Sequence, residues 1–331
     1  MARKAALEVI ERGAGKIGWT VGIEHFRTWN REKPKKLVDK VASERDAIER
    51  FVKDGDFLAT ELYGTVRAPM SLVRELCRQG RKDMRLVGTG VHDLDLLLAC
   101  RRIRVRSMNV TYVGHEVYGV SPIMRRAVEQ GRVAEEVVEW SNASMTWALK
   151  AASMGVPFLP CKVLAGTDTF KYGPAVTVTC PFSSEIVTLV PAVILDVVLI
   201  HVSRADRLGN CQIDGALGFA HEISRAAKRV VVSTETIVDE KKVRAWPERT
   251  VIPGYLVDAV VEAPFGSHPG EMPRAYDRDD EVYMGFLESA KTEEGTEAFM
   301  KKYVYGVSGH DAYLDLVGRD RLERLRLKDD E

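Results

Sequence analysis

The chain has 331 residues, 45% of them hydrophobic, which is enough apolar material for a sizeable core. Basic and acidic residues balance at 48 each, so a global electrostatic attraction to nucleic acid or anionic lipid is excluded. The five cysteines lie far apart without a C-x-x-C pair, a pattern that argues against a disulfide framework or a zinc site, and we expect no bound metal.

The amino terminus lacks the apolar segment of a signal peptide. The longest apolar run, residues 186–202, is interrupted by Pro191, Asp196 and His201, and it is too short and too polar to span a bilayer. These features predict a cytoplasmic protein without a membrane or nucleic-acid partner.

We divide the chain into an N-terminal extension of unknown role, residues 1–43, and a main domain, residues 44–331. Within the extension, Leu7, Val9 and Ile10 suggest the start of a short helix. The charged residues 31–36 indicate a solvated linker.

A regular alternation of elements begins at Ser43, whose spacing from Asp46 is typical of a helix cap. The predicted strands are residues 57–60, 84–87, 105–113, 136–140, 186–190, 197–202, 230–233 and 257–263. The predicted helices are residues 70–79, 93–100, 123–130, 142–154 and 216–228, followed by polar helices from residue 281. Strands separated by helices with short loops predict an α/β fold, an open and mainly parallel sheet with helices on both faces.

Ligands of such sheets bind outside the carboxyl ends of the strands, so the loops there are the candidate sites. The first loop, residues 61–69, precedes a helix and can present backbone N–H groups to a thioester oxygen or a carboxylate. Tyr63, Gly64 and Thr65 are candidate substrate contacts in this loop, and Arg67 could pair with a substrate carboxylate. The alternative is a plain connecting loop with a solvated arginine.

Three further loops carry candidate residues. Gly88 and Gly90 are candidate substrate contacts, although the glycine pattern matches no nucleotide-binding motif. His115 and Glu116 follow a strand and could transfer protons or hold substrate. Asn142 begins a helix beside Ser141, where helix capping is the structural alternative.

Two later stretches complete the pattern. Residues 252–269 contain a turn at Pro253, an apolar strand and a loop with His268, which by itself is best interpreted as a chance histidine in a surface turn. In residues 196–214 we interpret His201 as a hydrogen-bonded core residue and Asp206 as part of a structural turn.

Five stretches together resemble the α (A) subunits of the family I CoA-transferases, glutaconate CoA-transferase among them. They agree in order and spacing and are residues 54–69, 156–160, 196–210, 252–269 and 310–314. The resemblance implies an enzyme that moves CoA between an acyl-CoA and a carboxylic acid, with a glutaconate-like dicarboxylate as the first expectation. It also implies CoA and acyl-CoA as substrates, with no covalently bound cofactor.

The same resemblance implies that the chain is one component of a hetero-oligomer, in which its partner is a β (B) subunit and the assembly is α2β2. In heteromeric family members the β subunit carries the glutamate that attacks the thioester, and this chain has no matching E-x-G segment. Asn142 agrees with the transferases, whose α subunits carry an amide at this position, whereas ring-opening CoA-ester hydrolases carry a catalytic glutamate there. An amide cannot act as a general base.

One departure from the family keeps other functions open. Glu61 and Leu62 stand where the transferases carry two glycines, so Glu61 is either an acid, base or substrate-selecting group or a purely structural residue. The alternatives are a ring-opening CoA-ester hydrolase or a decarboxylase on the same scaffold, with Glu61 and Glu116 as candidate catalytic residues. A third possibility is a non-catalytic homo-oligomer that binds an acyl ligand.

Overall fold

The computed structural model describes residues 8–17, 21–60, 64–88 and 92–327. The strands are β1 Val9–Arg12, β2 Phe57–Ala59, β3 Arg81–Gly88, β4 Ile103–Val110, β5 Val133–Glu139, β6 Phe158–Cys161, β7 Val176–Thr179, β8 Ile186–Pro191, β9 Leu195–Ala205, β10 Cys211–Gln212, β11 Ala227–Ile237, β12 Thr250–Ile252 and β13 Ala259–Glu262. The helices are α1 Ile23–Glu32, α2 Glu44–Phe51, α3 Met70–Gln79, α4 His92–Ala99, α5 Pro122–Glu129, α6 Asn142–Met154, α7 Asp168–Tyr172, α8 Ala220–Ala226, α9 Glu240–Ala245, α10 Asp280–Ser289, α11 Glu293–Met300, α12 His310–Val317 and α13 Arg319–Leu325.

A large parallel sheet organises the main domain. Its strands pair side by side in the order β5, β4, β3, β2, β9, β11, β13, and every pair in this row is parallel. Two short strands extend the sheet in antiparallel pairing, β10 beside the last two residues of β9 and β12 beside β10. Chain order runs outward from β2 to β5 on one side and from β9 to β13 on the other, so the direction of winding switches between β2 and β9.

Apolar side chains cover both faces of this sheet. Because successive strand residues point to opposite faces, Leu58 and Val197 join one cluster with helices α2–α5, α10 and α11, while Phe57 and Val198 join the other with α1, α6 and α8. Continuous apolar runs in the central strands follow from this two-sided burial. The predicted α/β architecture, with helices on both faces of a mainly parallel sheet, is confirmed.

A second sheet lies outside the predicted pattern. Strands β1, β7, β8 and β6 form it in that order, and all its pairings are antiparallel. The predicted strand at residues 186–190 exists as β8, but it belongs here and not to the parallel series. Helix α8 is likewise shorter than predicted, because residue 227 already begins β11 and its pairing with β9 takes precedence.

The N-terminal segment also differs from its prediction. Residues 9–12 form strand β1 and not a helix, because Val9, Glu11 and Arg12 pair with the edge of β7. Helix α1 then buries Phe26 against the main core, and the Lys33 ammonium lies 2.7 Å from the Asp258 carboxylate. The charged linker is thus anchored to the main sheet, and the division at residues 43 and 44 stays a prediction.

Among the residues that the structure describes, no helix has the length and apolar character needed to cross a membrane.

Candidate functional site

The candidate site lies where the winding of the parallel sheet switches direction. The carboxyl end of β2 lies beside the first half of β9 at this point, with Leu58 paired to Val197 and Ala59 to Val198, and β9 continues to Ala205. Open α/β sheets bind ligands in the crevice formed at such a point, because loops from neighbouring strands diverge there. The first loop follows β2 directly, and we therefore build the site outward from it.

The described part of the first loop has a specialised backbone. Gly64 has φ +59° and Arg67 has φ +55°, both in the left-handed region. The Thr65 hydroxyl donates to the Glu271 carboxylate at 3.1 Å, and the Arg67 amide donates to the Glu271 carbonyl at 3.1 Å. The loop therefore takes its shape from residue 271, more than two hundred positions away. Glu61, Tyr63 and Gly90, also predicted as site residues, lie outside the described residues.

The Arg67 side chain is buried inside the chain. It has no exposed surface, and its guanidinium donates to the His201 carbonyl at 3.3 Å. The alternative of a solvated arginine is therefore wrong. The predicted contact between Arg67 and a substrate carboxylate is untested, and in the isolated chain the guanidinium exposes no surface to a ligand.

His115 is held from both sides. Its Nδ1 lies 2.6 Å from the Tyr283 hydroxyl and its Nε2 lies 2.8 Å from the Asp95 carboxylate. Asp95 also accepts a 2.6 Å hydrogen bond from the Ser121 hydroxyl. Because both ring nitrogens are engaged, proton transfer to a substrate would require one of these partners to be released. The ring braces the third loop in the present arrangement.

Glu116 is the predicted candidate that the fold brings to the first loop. Its side chain is exposed, and its backbone has φ +56°. A carboxylate oxygen of Glu116 lies 2.7 Å from the place that a Cβ on Gly64 would occupy, so the Glu116 side chain lies directly against the first loop. The Tyr112 hydroxyl accepts a hydrogen bond from the Glu116 amide at 3.1 Å and fixes this turn. A solvent-accessible carboxylate thus borders the first loop.

Gly88 and Asn142 lie at the ends of other strands. Gly88 is the last residue of β3, and a Cβ there would come within 3.2 Å of Leu94. Asn142 is exposed and begins α6, while Ser141 makes the capping box. Asn142 follows β5, which is three strands from β2, a lateral separation of roughly 14 Å at the usual strand spacing.

The end of the stretch at residues 252–269, together with Gly270, packs against the first loop and the start of α3. A Cβ on Gly270 would lie 2.1 Å from the Thr65 carbonyl oxygen, and the Ser71 amide donates to the Gly266 carbonyl at 3.0 Å. The sequence indicated a loop here but not its contact with residues 65–71. Glu271, whose carboxylate binds Thr65, was missed because it follows the recognisable stretch and belongs to no motif.

The interpretation of His268 as a chance surface histidine is wrong. The side chain is fully buried, with Nδ1 2.7 Å from the Tyr313 hydroxyl and Nε2 3.1 Å from the Asp279 carboxylate. Burial lowers the pKa of His268, although the hydrogen bond to Asp279 opposes the shift. The imidazole therefore joins the loop to the C-terminal helices and is a structural group.

His201 and Asp206 have the predicted structural roles. His201 is buried, with Nδ1 2.8 Å from the Ser233 hydroxyl and Nε2 2.7 Å from the Glu235 carboxylate. The Asp206 carboxylate accepts backbone hydrogen bonds from Leu208 at 3.0 Å and Asn210 at 2.9 Å. Within the described ranges, no group of three or more His, Cys, Asp or Glu residues could hold a metal ion.

The chain is similar to proteins of known family. The family model of coenzyme A transferase matches residues 41–263. The A subunit of glutaconate CoA-transferase from Acidaminococcus fermentans is 32% identical over 313 residues, which cover 88% of this chain and 95% of the relative. The A subunit of 3-oxoadipate CoA-transferase from Pseudomonas knackmussii is 36% identical over 267 residues, 79% of this chain and 92% of the relative.

A hydrolase is also among the relatives. The cholesterol ring-cleaving hydrolase IpdA subunit of Rhodococcus jostii is 30% identical over 280 residues, 81% of this chain and 93% of the relative. The crystal structure of glutaconate coenzyme A-transferase from Acidaminococcus fermentans superposes with a TM-score of 0.83 at 30% identity, covering 88% of this chain and 96% of that one. The chain therefore belongs to the coenzyme A transferase family, which confirms the fold and the enzyme class predicted from its sequence.

Proposed function

We propose that the chain is the α (A) component of a heteromeric CoA-transferase that moves CoA between an acyl-CoA and a carboxylic acid. The observation that carries the proposal is that 88% of the chain aligns with glutaconate CoA-transferase, both in sequence and in fold. A glutaconate-like dicarboxylate is the first acid to test, and an α2β2 assembly in the cytoplasm is the expected form. CoA and acyl-CoA are substrates of this reaction.

The reaction assigns different roles to the two components. The β subunit supplies a glutamate carboxylate that attacks the acyl-CoA thioester and later carries CoA as a glutamyl thioester. The first loop of this chain borders the acyl group and offers backbone N–H groups to the oxygen on which charge develops. This division agrees with the state of His115, whose two nitrogens are both engaged within the chain.

The test uses the complex of this chain with its β-type partner. The complex is incubated with acyl-CoA, and the intact masses of both polypeptides are measured with and without acceptor acid. A CoA adduct on the partner, with this chain unmodified, is the expected result. An adduct on this chain, or CoA transfer by this chain without the partner, would contradict the proposal.

A hydrolase on the same scaffold is the second candidate, because Glu116 presents an accessible carboxylate at Gly64. Such a carboxylate could activate water at a bound thioester or ring carbonyl. Free CoA or ring-opened product that forms without an acceptor acid would favour this function. Glu116→Gln should then abolish turnover, whereas in a transferase it should leave adduct formation on the partner intact.

A further inference from the structure

A mostly buried carboxylate outside the predicted site residues gathers hydrogen bonds near the carboxyl end of β11. Glu235 lies near the end of β11 with 11% of its side chain exposed. One of its oxygens accepts hydrogen bonds from the Tyr276 hydroxyl at 2.9 Å and the Gly266 amide at 3.2 Å, and it lies 2.7 Å from His201 Nε2. The other oxygen accepts from the Phe265 amide at 2.8 Å. Four polar groups from three separate segments therefore converge on one side chain.

The segment that Glu235 holds is strained and tightly packed. Phe265 has φ +56°, which costs a non-glycine residue free energy that the surroundings must offset. A Cβ on Gly266 would lie 2.5 Å from His201 Cε1, so the backbone runs directly over the imidazole ring. The Tyr276 hydroxyl also accepts a hydrogen bond from the Ser267 amide at 3.1 Å. Without the carboxylate, several of these groups would lose their partner together.

This segment in turn supports the first loop. The Gly266 carbonyl accepts a hydrogen bond from the Ser71 amide at the start of α3. Gly270 leaves no room for a side chain against the Thr65 carbonyl. The contacts therefore form a continuous path from Glu235 through residues 265–270 to residues 65–71. A displacement of the segment would move the backbone that borders the crevice.

The charge of Glu235 suits this role. Burial would raise its pKa, but hydrogen bonds and the neighbouring His201 outweigh burial and hold the pKa below its ordinary value. An ionised carboxylate accepts stronger hydrogen bonds than a neutral amide does.

We propose that Glu235 is a positioning residue for the substrate-binding first loop, acting through the backbone of residues 265–270. The proposal rests on the proposed function for its kinetic consequence, but its structural consequence can be measured on this chain in any functional context. Glu235 does not touch the reacting atoms. It keeps residues 64–71 ordered before substrate arrives, so the ordering cost is not taken from the binding free energy.

Glu235→Gln is the principal variant, because the amide keeps the size of the side chain but replaces one acceptor oxygen with a donor. Asp206→Asn is the matched control. It alters another buried carboxylate that holds backbone amides, but those amides belong to a local turn at residues 206–210. Tyr276→Phe removes one donor to Glu235 and also the acceptor of the Ser267 amide, and it is the second variant if Glu235→Gln does not fold.

Hydrogen–deuterium exchange of this chain gives the direct readout. Loss of a hydrogen bond to a charged group should speed exchange over residues 64–71 and 263–272 by about tenfold or more in Glu235→Gln. Asp206→Asn should speed exchange near residues 206–212 and leave the first loop unchanged. Wild-type exchange at the first loop in Glu235→Gln, or in Tyr276→Phe where that variant replaces it, would overturn the proposal.

Kinetics of the complex with the β subunit give the second readout. Since a loosened loop must be ordered when substrate binds, Glu235→Gln should raise KM for acyl-CoA about tenfold and lower kcat less. Asp206→Asn should leave KM unchanged, even if it lowers the thermal stability as much as Glu235→Gln does. Equal KM values in the two variants would reduce Glu235 to a structural residue. A wild-type complex without CoA transfer would refute the proposed function instead, while the exchange experiment would still decide the role of Glu235.

Discussion

Replacing Gly270 with alanine should disrupt the candidate site from a position that no substrate needs to touch. The added Cβ would lie 2.1 Å from the Thr65 carbonyl oxygen, whereas real Cβ atoms essentially never come closer than 3.0 Å to such a neighbour. The two backbones must therefore separate by at least 0.9 Å. Thr65 belongs to the first loop, so this displacement falls on the backbone that borders the crevice.

The expected loss of activity can be estimated from this displacement. A misplacement of about 1 Å in a site can reduce the rate roughly 100-fold, equivalent to about 2.7 kcal/mol of transition-state stabilisation. We expect this loss in kcat/KM for CoA transfer by the complex with the β subunit. Circular dichroism and the thermal midpoint of the variant chain should show a folded protein.

Gly285→Ala provides the matched control. Gly285 lies within α10, and a Cβ there meets nothing within 4 Å. Because alanine is the better helix former, this variant should gain about 0.5–1 kcal/mol of unfolding free energy and keep wild-type kinetics. The reasoning would be refuted by a Gly270→Ala complex with wild-type kcat/KM, or by an equal loss of activity in Gly285→Ala.

Two predictions concern the stability of the chain. Burial raises the pKa of Glu44 to about 7, although Arg78 and Arg74 oppose the shift. A carboxyl group with a raised folded-state pKa favours the folded chain while it is protonated, and this advantage is lost as the pH rises towards that pKa. The wild type should therefore lose roughly 3 kcal/mol of unfolding free energy relative to Glu44→Gln as the pH rises from 4.5 to 7. Urea unfolding measures the difference. Parallel stability curves for the two proteins would exclude this role of Glu44. Phe57→Ala should cost about 3–5 kcal/mol in the same assay because Phe57 is fully buried. Phe182 is 96% exposed, so Phe182→Ala should change stability by less than about 0.5 kcal/mol. Similar losses in both variants would contradict this assignment of the core.

Local patterns in the sequence were sufficient for much of the main domain. The helix predicted at residues 70–79 has these bounds in the structure, because apolar periodicity, the preceding proline and the following glycine all act within one segment. The apolar runs around Leu58, Val198 and Val231 became central parallel strands for the same reason. Placing the first loop after a strand at the carboxyl edge of the sheet also needed only this local information.

The tertiary structure decided which side chains meet. The hydrogen bond from the buried Arg67 to His201, the two partners of His115 and the four polar groups around Glu235 depend on segments that are distant in sequence. The antiparallel sheet was missed because its strands are short and its order is set by pairing between remote segments, which no local periodicity records. Hydrophobic periodicity is a property of one segment and can be read from the sequence. A hydrogen bond needs two groups at a defined distance, and where the second group belongs to a remote segment, only the folded chain brings the two together.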